Sequence, residues 1–287
     1  MANLKEIRNR IASVSSTMQI TSAMKMVSAA KLKKAQDAIT TMRPYADKQS
    51  ELLQNLSASL EGDVGSAYTD QREVKKLLLV AISSNRGLAG AFNSNIVKAC
   101  SSLRKEKYSD IQVDFVTLGK KANDVIVKEN TVIENNINIF DELTFANNAV
   151  IAQNLMDLFT EGKYDKILLI YNKFKNAATQ IITTEQFLPI VSNVSEETSD
   201  ASDYIFEPSK EKIIEELIPK SLKMQLFKAL RDSSASEHGA RMTAMHKATD
   251  NATDLRDALK LQYNKARQAS ITNEILEIVG GAEALAG

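Results

Sequence analysis

The chain has 287 residues, 44% of them hydrophobic, enough for one ordinary core or for a smaller core with an elongated appendage. Lys plus Arg and Asp plus Glu number 36 each, and there is no Trp, which argues against a nucleic-acid surface built from basic residues and stacking aromatics. The single cysteine, Cys100, excludes an intrachain disulfide, a thiolate cluster and a Cys-x-x-Cys redox pair, and reads as a small hydrophobe in a helix.

The zero net charge is unevenly placed. Residues 1–60 carry nine basic against four acidic side chains, residues 61–208 fifteen against twenty-one, and residues 209–287 twelve against eleven. The basic N-terminal arm suits an acidic protein partner. Met1 to Arg10 alternates charged and apolar residues without an apolar core, unlike a secretory signal. The longest apolar run, Leu77 to Ile82, is too short to cross a bilayer. The expectation is a soluble, intracellular chain.

From Leu4 the spacing of three and four residues gives Leu4, Ile7, Ile11, Val14, Met18, Thr21, Lys25, Ser28, Leu32, Ala35, Ile39 and Met42, a heptad seam with three polar members at its middle. At that break Met24 and Val27 lie one residue earlier, so the apolar stripe is expected to slide around the helix. Pro44 is placed to bend or interrupt it. A helix from Leu4 to about Leu60 would be roughly 85 Å long at about 1.5 Å per residue.

The middle, residues 61–208, alternates strand and helix patterns. Lys76 to Ser83 reads as a buried strand, Ala91 to Lys105 as a helix, Ile111 to Leu118 as a strand, Lys120 to Glu129 as a short helix and Phe145 to Phe159 as a longer one. Ile167 to Phe174 and Gln180 to Phe187 follow as strands joined by a short polar turn. Such alternation predicts a small, mostly parallel sheet with helices on its faces, a Rossmann-like α/β domain. Ser192 to Asp203 reads as a polar, acidic loop.

Residues 209–287 form the second long helix. Met245, Ala248, Ala252, Leu255 and Leu259 keep the three-four spacing, and Ile271, Ile275, Ile278, Ala282 and Leu285 resume it after a shift. The only proline there is Pro219, near the start, which leaves about seventy residues free to be helical, roughly 100 Å at about 1.5 Å per residue. Two long amphipathic helices at opposite ends of a chain bury their stripes most economically as one antiparallel coiled coil. After Glu274 the helix is apolar on several sides, through Ile275, Leu276, Ile278, Val279, Ala282, Ala284 and Leu285, and calls for a socket.

Catalytic chemistry is missing from this pattern. Gly87 and Gly90 stand where a dinucleotide loop would, but G-x-G-x-x-G and the acidic residue of a following strand are lacking, so a structural turn is expected. There is no phosphate loop and no nucleophile elbow. His238 and His246 are two helical turns apart, too far for joint metal ligation, and Asp250 is placed to pair with His246.

Two stretches at opposite ends point to one family. Ile271-Thr272-Asn273-Glu274-Ile275-Leu276-Glu277 with Gly281-Ala282 resembles, in residue type and spacing, the C-terminal signature of the gamma subunits of F-type ATP synthases. Tyr263 to Ser270 and Arg241 to Met245 are similar to it as well, as are Ile11 to Val14 and Ala23 to Lys31 in the N-terminal arm. Ser83 to Gly90 resembles the family segment S-x-D-R-G-L-C-G, with Asn85 in the acidic place and Ala89 in the cysteine place. The inserted cysteine pair of the light-regulated type is missing.

The resemblance implies a non-catalytic rotor shaft without cofactors. Its paired helices would stand inside a ring of alpha and beta subunits, with the α/β domain as a foot against the epsilon subunit and the ring of membrane c subunits. It implies partner-binding roles for Met24, Lys31, Lys33, Lys34, Arg86, Arg241, Arg267, Gln268, Thr272 and Glu274. Arg267 and Gln268 match positions that hydrogen-bond a beta-subunit loop, Arg241 would brace the rod, Met24 would tune rotor–stator engagement, and the lysines would meet acidic beta segments. The missing presequence and Met1 then point to a bacterial cell, with the complex on the cytoplasmic face of its plasma membrane. The rival reading is a static coiled-coil adaptor with an α/β head; a Rossmann-type enzyme with helical extensions is the weaker alternative.

Overall fold

A computed structural model describes residues 4–58, 67–190 and 210–286; the acidic stretch Ser192 to Asp203 lies outside the described residues. Along the chain run α1 (Leu4–Ala58), β1 (Lys76–Ile82), α2 (Phe92–Lys107), β2 (Gln112–Leu118), α3 (Lys120–Ile126), β3 (Val132–Asn136), a 3-10 turn (Asn138–Phe140), α4 (Phe145–Thr160), β4 (Lys166–Phe174), β5 (Gln180–Leu188) and α5 (Lys210–Ala286). The fold is a long helix at each end and a central α/β sheet. Pro44, placed to bend or interrupt α1, lies inside a continuous helix, and Pro219 lies inside α5. None of the helices is long and apolar enough to cross a membrane, among the described residues. The chain divides into two compact units, one of Ala29–Arg241 and one of Met1–Ser28 with Met242–Gly287.

In the larger unit the sheet order is β3-β2-β1-β4-β5. The first four strands are parallel, and β5 returns antiparallel beside β4. The apolar runs of β1, β2 and β4 are explained by cover on both faces. Leu78, Val80 and Ile82 of β1 enter one core with α4 and with Ile218, Leu222, Leu226 and Leu230 of α5. Leu77, Leu79 and Ala81 enter the opposite core with Ile96 and Cys100 of α2 and Ala122 and Ile126 of α3. Cys100 is buried there and its thiol is pushed up to about 12 by desolvation.

Strand β3 is the element that sequence pattern does not reveal. Val132 and Ile133 suit a strand, but Glu134, Asn135 and Asn136 are residue types depleted in strands, and only alternate residues of the five are half-buried. The asparagines are there for their polar atoms: Thr117 donates to Asn135 Oδ1 at 3.1 Å, and Ile139 N donates to Asn136 Oδ1 at 3.3 Å.

In the smaller unit, α1 and α5 run antiparallel. Arg8 Nη2 donates to the Tyr263 hydroxyl at 2.8 Å, Met18 Sδ accepts from Thr253 Oγ1 at 3.4 Å, and the Thr21 and Thr249 hydroxyls meet at 2.8 Å. Position rises on one helix as it falls on the other. Every seam position read from the α1 sequence, from Leu4 to Met42, is buried or half-buried, Thr21, Lys25 and Ser28 included. The expected slide toward Met24 and Val27 does not occur, since Val27 is 57% exposed. A hydroxyl-lined seam holds its register there because its partner helix supplies Thr249 and Thr253 opposite.

On α5 the inward positions are Met245, Thr249, Ala252, Arg256, Leu259, Tyr263, Ala266 and Ser270, an unbroken heptad alternation. Leu255, expected on the seam, is 45% exposed, and the expected shift between two apolar runs is absent. The alternating positions are polar or small, so a search for apolar residues passes over them. Arg256 stays half-buried by laying its stem along the seam and its guanidinium toward Met18 Sδ and Asp257. From Ile271 to Ala284 every side chain is exposed.

Two outcomes test this architecture. Thr21→Cys with Thr249→Cys should form a disulfide on mild oxidation, read as a shift on a non-reducing gel, whereas Ile20→Cys with Asp250→Cys should not; equal yields would refute the register. Gly119 has φ +110°, and a Cβ there would lie 2.4 Å from Ser83 O. Gly119→Ala should therefore cost about 2 kcal/mol or more in urea unfolding.

Candidate functional site

In a parallel sheet of this order, ligands enter at the carboxyl ends of the strands where the order reverses, here between β1 and β4. In this chain that place is taken by its own last helix. Ser236 Oγ donates to Asn172 O at 2.9 Å near the end of β4, and Asn172 Nδ2 donates to Phe92 O at 3.3 Å. Gly239 lies so close to the β4–β5 turn that an added Cβ would sit 3.1 Å from Ala177 Cα. Ala240 packs with Ala89 and Phe92.

The loop after β1 is held from three sides. Ser84 Oγ donates to Arg86 O at 2.7 Å, while Ser84 N donates to Asn93 Oδ1 at 3.0 Å and Asn93 Nδ2 to Ser84 Oγ at 2.8 Å. Asn85 Nδ2 donates to Ile137 O at 2.8 Å and its Oδ1 accepts from Lys120 N at 3.1 Å. An amide serves both roles; a carboxylate could only accept. From α5, Arg241 Nη2 donates to Arg86 O at 3.1 Å, and Nε and Nη2 each donate to Gly87 O at 3.3 Å.

Arg241 is only 8% exposed. A buried guanidinium needs a counter-charge, and Glu237 Oε1 supplies it at 2.7 Å, one helical turn earlier. Burial raises the Glu237 carboxyl above its ordinary value, while Arg241, Lys31 and Arg86 pull it down. The neighbouring His238 imidazole is lowered to about 4, first by burial and then by Arg241 and Lys31, and its Nδ1 has no hydrogen-bond partner among the described residues.

At the tip of the loop Leu88 has φ +61° and is 65% exposed, and Gly90 follows at φ +58°. The left-handed conformation costs a non-glycine residue roughly 1–3 kcal/mol. Arg86 is exposed beside it. The buried charges of Glu237 and Arg241 are matched to each other, an arrangement suited to holding the shape of the loop. Among the described residues, no three His, Cys, Asp or Glu side chains converge as metal ligands.

A family model described as ATP synthase matches residues 3–285. Curated relatives called ATP synthase gamma chain include that of Flavobacterium johnsoniae, 72% identical, and that of Christiangramia forsetii, 68% identical, each over 287 residues and the full length of both chains. The chain belongs to the ATP synthase gamma-chain family. Among solved structures, the central stalk and c-ring of the Tetrahymena thermophila mitochondrial ATP synthase matches 80% of this chain and 99% of its counterpart, with a TM-score of 0.59 and 26% identity. An OSCP/F1/c-ring structure from Euglena gracilis has the same fold, with a TM-score of 0.71 at 22% identity over 98% of this chain and 94% of its own.

Of the residues that the family resemblance marks, the structure joins Arg86 and Arg241 directly and places Lys31 within electrostatic reach of Glu237 and His238. Lys33 and Lys34 are exposed on α1. In the smaller unit Met24 is half-buried, and Arg267, Gln268, Thr272 and Glu274 are exposed on α5. There Thr272 Oγ1 donates to Gln268 O at 3.0 Å and Ser270 Oγ to Glu274 Oε1 at 3.4 Å. Sequence reasoning missed Glu237 and Leu88. Glu237 could have been found as the carboxylate four residues before Arg241 on one helix face; the backbone strain at Leu88 leaves no sequence signal. His246 pairs with Asp250 as expected, Nδ1 to Oδ2 at 3.3 Å.

The depressed His238 sets a pH dependence. Above its ordinary value near 6.5 the ring is neutral whether the chain is folded or not. As pH falls toward 4, the unfolded chain takes up a proton that the folded chain refuses, so stability falls on acidification. Unfolding free energies measured across this window should show a shallower acid limb in His238→Gln, by up to about one proton in slope.

Proposed function

We propose that this chain is the central shaft of a rotary ATP synthase, and that it couples ion-driven rotation to ATP synthesis on other subunits without catalysing chemistry itself. The observation that carries this reading is the smaller unit: two antiparallel helices share a buried seam as far as Ser270, and α5 then continues with its apolar residues bare. A helix end of that composition is built to be sheathed by neighbours. Full-length relatives that are called gamma chains support the same reading.

In this reading alpha and beta subunits surround the paired helices, and the epsilon subunit and the c-ring meet the α/β domain. Residues 1–60 and 209–287 serve as the two coiled-coil segments and residues 61–208 as the foot. The two helices differ in sequence, so the shaft is asymmetric and turns a different face to each of three equal catalytic subunits. Each catalytic subunit then has its conformational populations biased in turn. Met24, Lys31, Lys33, Lys34, Arg86, Arg267, Gln268, Thr272 and Glu274 are the side chains offered to those neighbours. Arg241 acts from inside, through the loop it holds. The complex would sit at the cytoplasmic face of a bacterial plasma membrane, with this chain peripheral and carrying no cofactor.

Mixing the purified chain with alpha and beta subunits tests the reading. ATP hydrolysis should be restored by the chain in the mixture, and the chain alone should show none. Hydrolysis by the isolated chain, or equal activity of alpha and beta without it, would sink the proposal.

A further inference from the structure

At the amino ends of the strands, away from the Arg241 loop, the larger unit holds a cavity of about 300 Å³, the size of a small-molecule site. Lys76 and Gln112, the first residues of β1 and β2, stand at its rim with Lys163, and all three are exposed. Asp114 and Tyr164 are its buried floor. Leu158, in the last turn of α4, and Ile133 give it apolar walls. Ile133 is the residue that the ladder between β2 and β3 skips, since Phe115 pairs with Val132 and Val116 with Glu134. Such a bulge re-aims a side chain, and here it sets an exposed isoleucine at the lip of the cavity.

Asp114 is only 6% exposed. Its Oδ2 accepts from the Tyr164 hydroxyl at 2.8 Å and from Gln112 Nε2 at 3.0 Å. Burial first, and then the bond to Asp114, raise the Tyr164 hydroxyl, which keeps it a donor. Both donors are neutral. An asparagine would accept the same two bonds with no charge to desolvate, so holding Tyr164 and Gln112 does not by itself call for a carboxylate. The rim does not answer that charge either: among the described residues neither Lys76 nor Lys163 makes an ion pair with Asp114, and Lys163 Nζ lies 2.7 Å from Glu161 Oε2 in solvent. A buried carboxylate facing a cavity is complete when a cation enters it.

We propose that this cavity is a binding site for a small organic cation, a protonated amine or amidine on a flat apolar body, with its N–H groups donating to Asp114 and its body lying between Ile133 and Leu158. The rim lysines repel a second positive charge, so a monocation is favoured over a polyamine. The site shares no residue with the loop after β1 or with the helical seam.

Benzamidine and benzoate carry the same ring with opposite charge, and ligand-observed NMR on the full-length chain compares them. Benzamidine should bind with a Kd in roughly the millimolar range, as its few heavy atoms allow, and benzoate at least about tenfold more weakly. Asp114→Asn should weaken benzamidine by about tenfold or more with the circular dichroism unchanged. Ile133→Trp, a change at an exposed lip, should close the mouth and abolish binding, and it carries the test where Asp114→Asn does not fold. Benzoate binding as tightly as benzamidine would assign the cavity to its lysines and overturn the proposal. Benzamidine binding that survives Ile133→Trp, as attachment to the bare end of α5 would, overturns it too, as does the absence of benzamidine binding at about 10 mM.

Discussion

A guanidinium that is buried in protein must have all its charge answered nearby, and Arg241 answers it with one carboxylate and two backbone carbonyls. That single requirement organises the end of the sheet. It draws α5 over the carboxyl ends of β1 and β4, fixes the loop that follows β1, and fills with the chain's own atoms the place where other sheets of this order keep a ligand crevice. A fold known for binding nucleotides is here closed by a helix. Fold does not carry function, and the local residues decide.

The paired helices obey a different constraint. Their seam is unusually polar for a coiled coil, with Thr21 on Thr249, Met18 beside Thr253 and Arg256, and Ser28 buried. Several of these hydroxyls also bond back to a carbonyl of their own helix: Thr21 to Met18 O, Ser28 to Met24 O and Thr253 to Thr249 O. Small hydroxyl-bearing residues give up hydrophobic free energy but fix which residue faces which, a use of polar seam positions that is well attested in coiled coils. A shaft needs a defined register more than it needs maximal stability.

Much of this was legible in the sequence because the strongest signals are periodic. The α1 seam could be read position by position, and the strands of the sheet stood out as apolar runs bounded by turns. The α5 seam was only partly legible, since Thr249, Arg256, Tyr263 and Ser270 occupy positions where hydrophobic periodicity expects apolar side chains; Leu255 was placed inward in their stead. Strand β3 hid behind asparagines whose task is to satisfy neighbouring backbone and hydroxyl groups. The loop after β1 could be located but not understood from sequence. Its contacts join residues about 150 positions apart, and a positive φ at Leu88 has no signature in residue type.

The bare apolar end of α5 has a consequence for the life of the chain before assembly. Ile271, Ile275, Leu276, Ile278 and Val279 lie open to water, and each Å² of such surface costs about 25 cal/mol until it is covered. An orphan copy therefore displays a sticky apolar segment of the kind that chaperones and proteases recognise, and on the proposed shaft reading a copy sheathed by its neighbours does not. On that reading the tip distinguishes a surplus subunit from an assembled one.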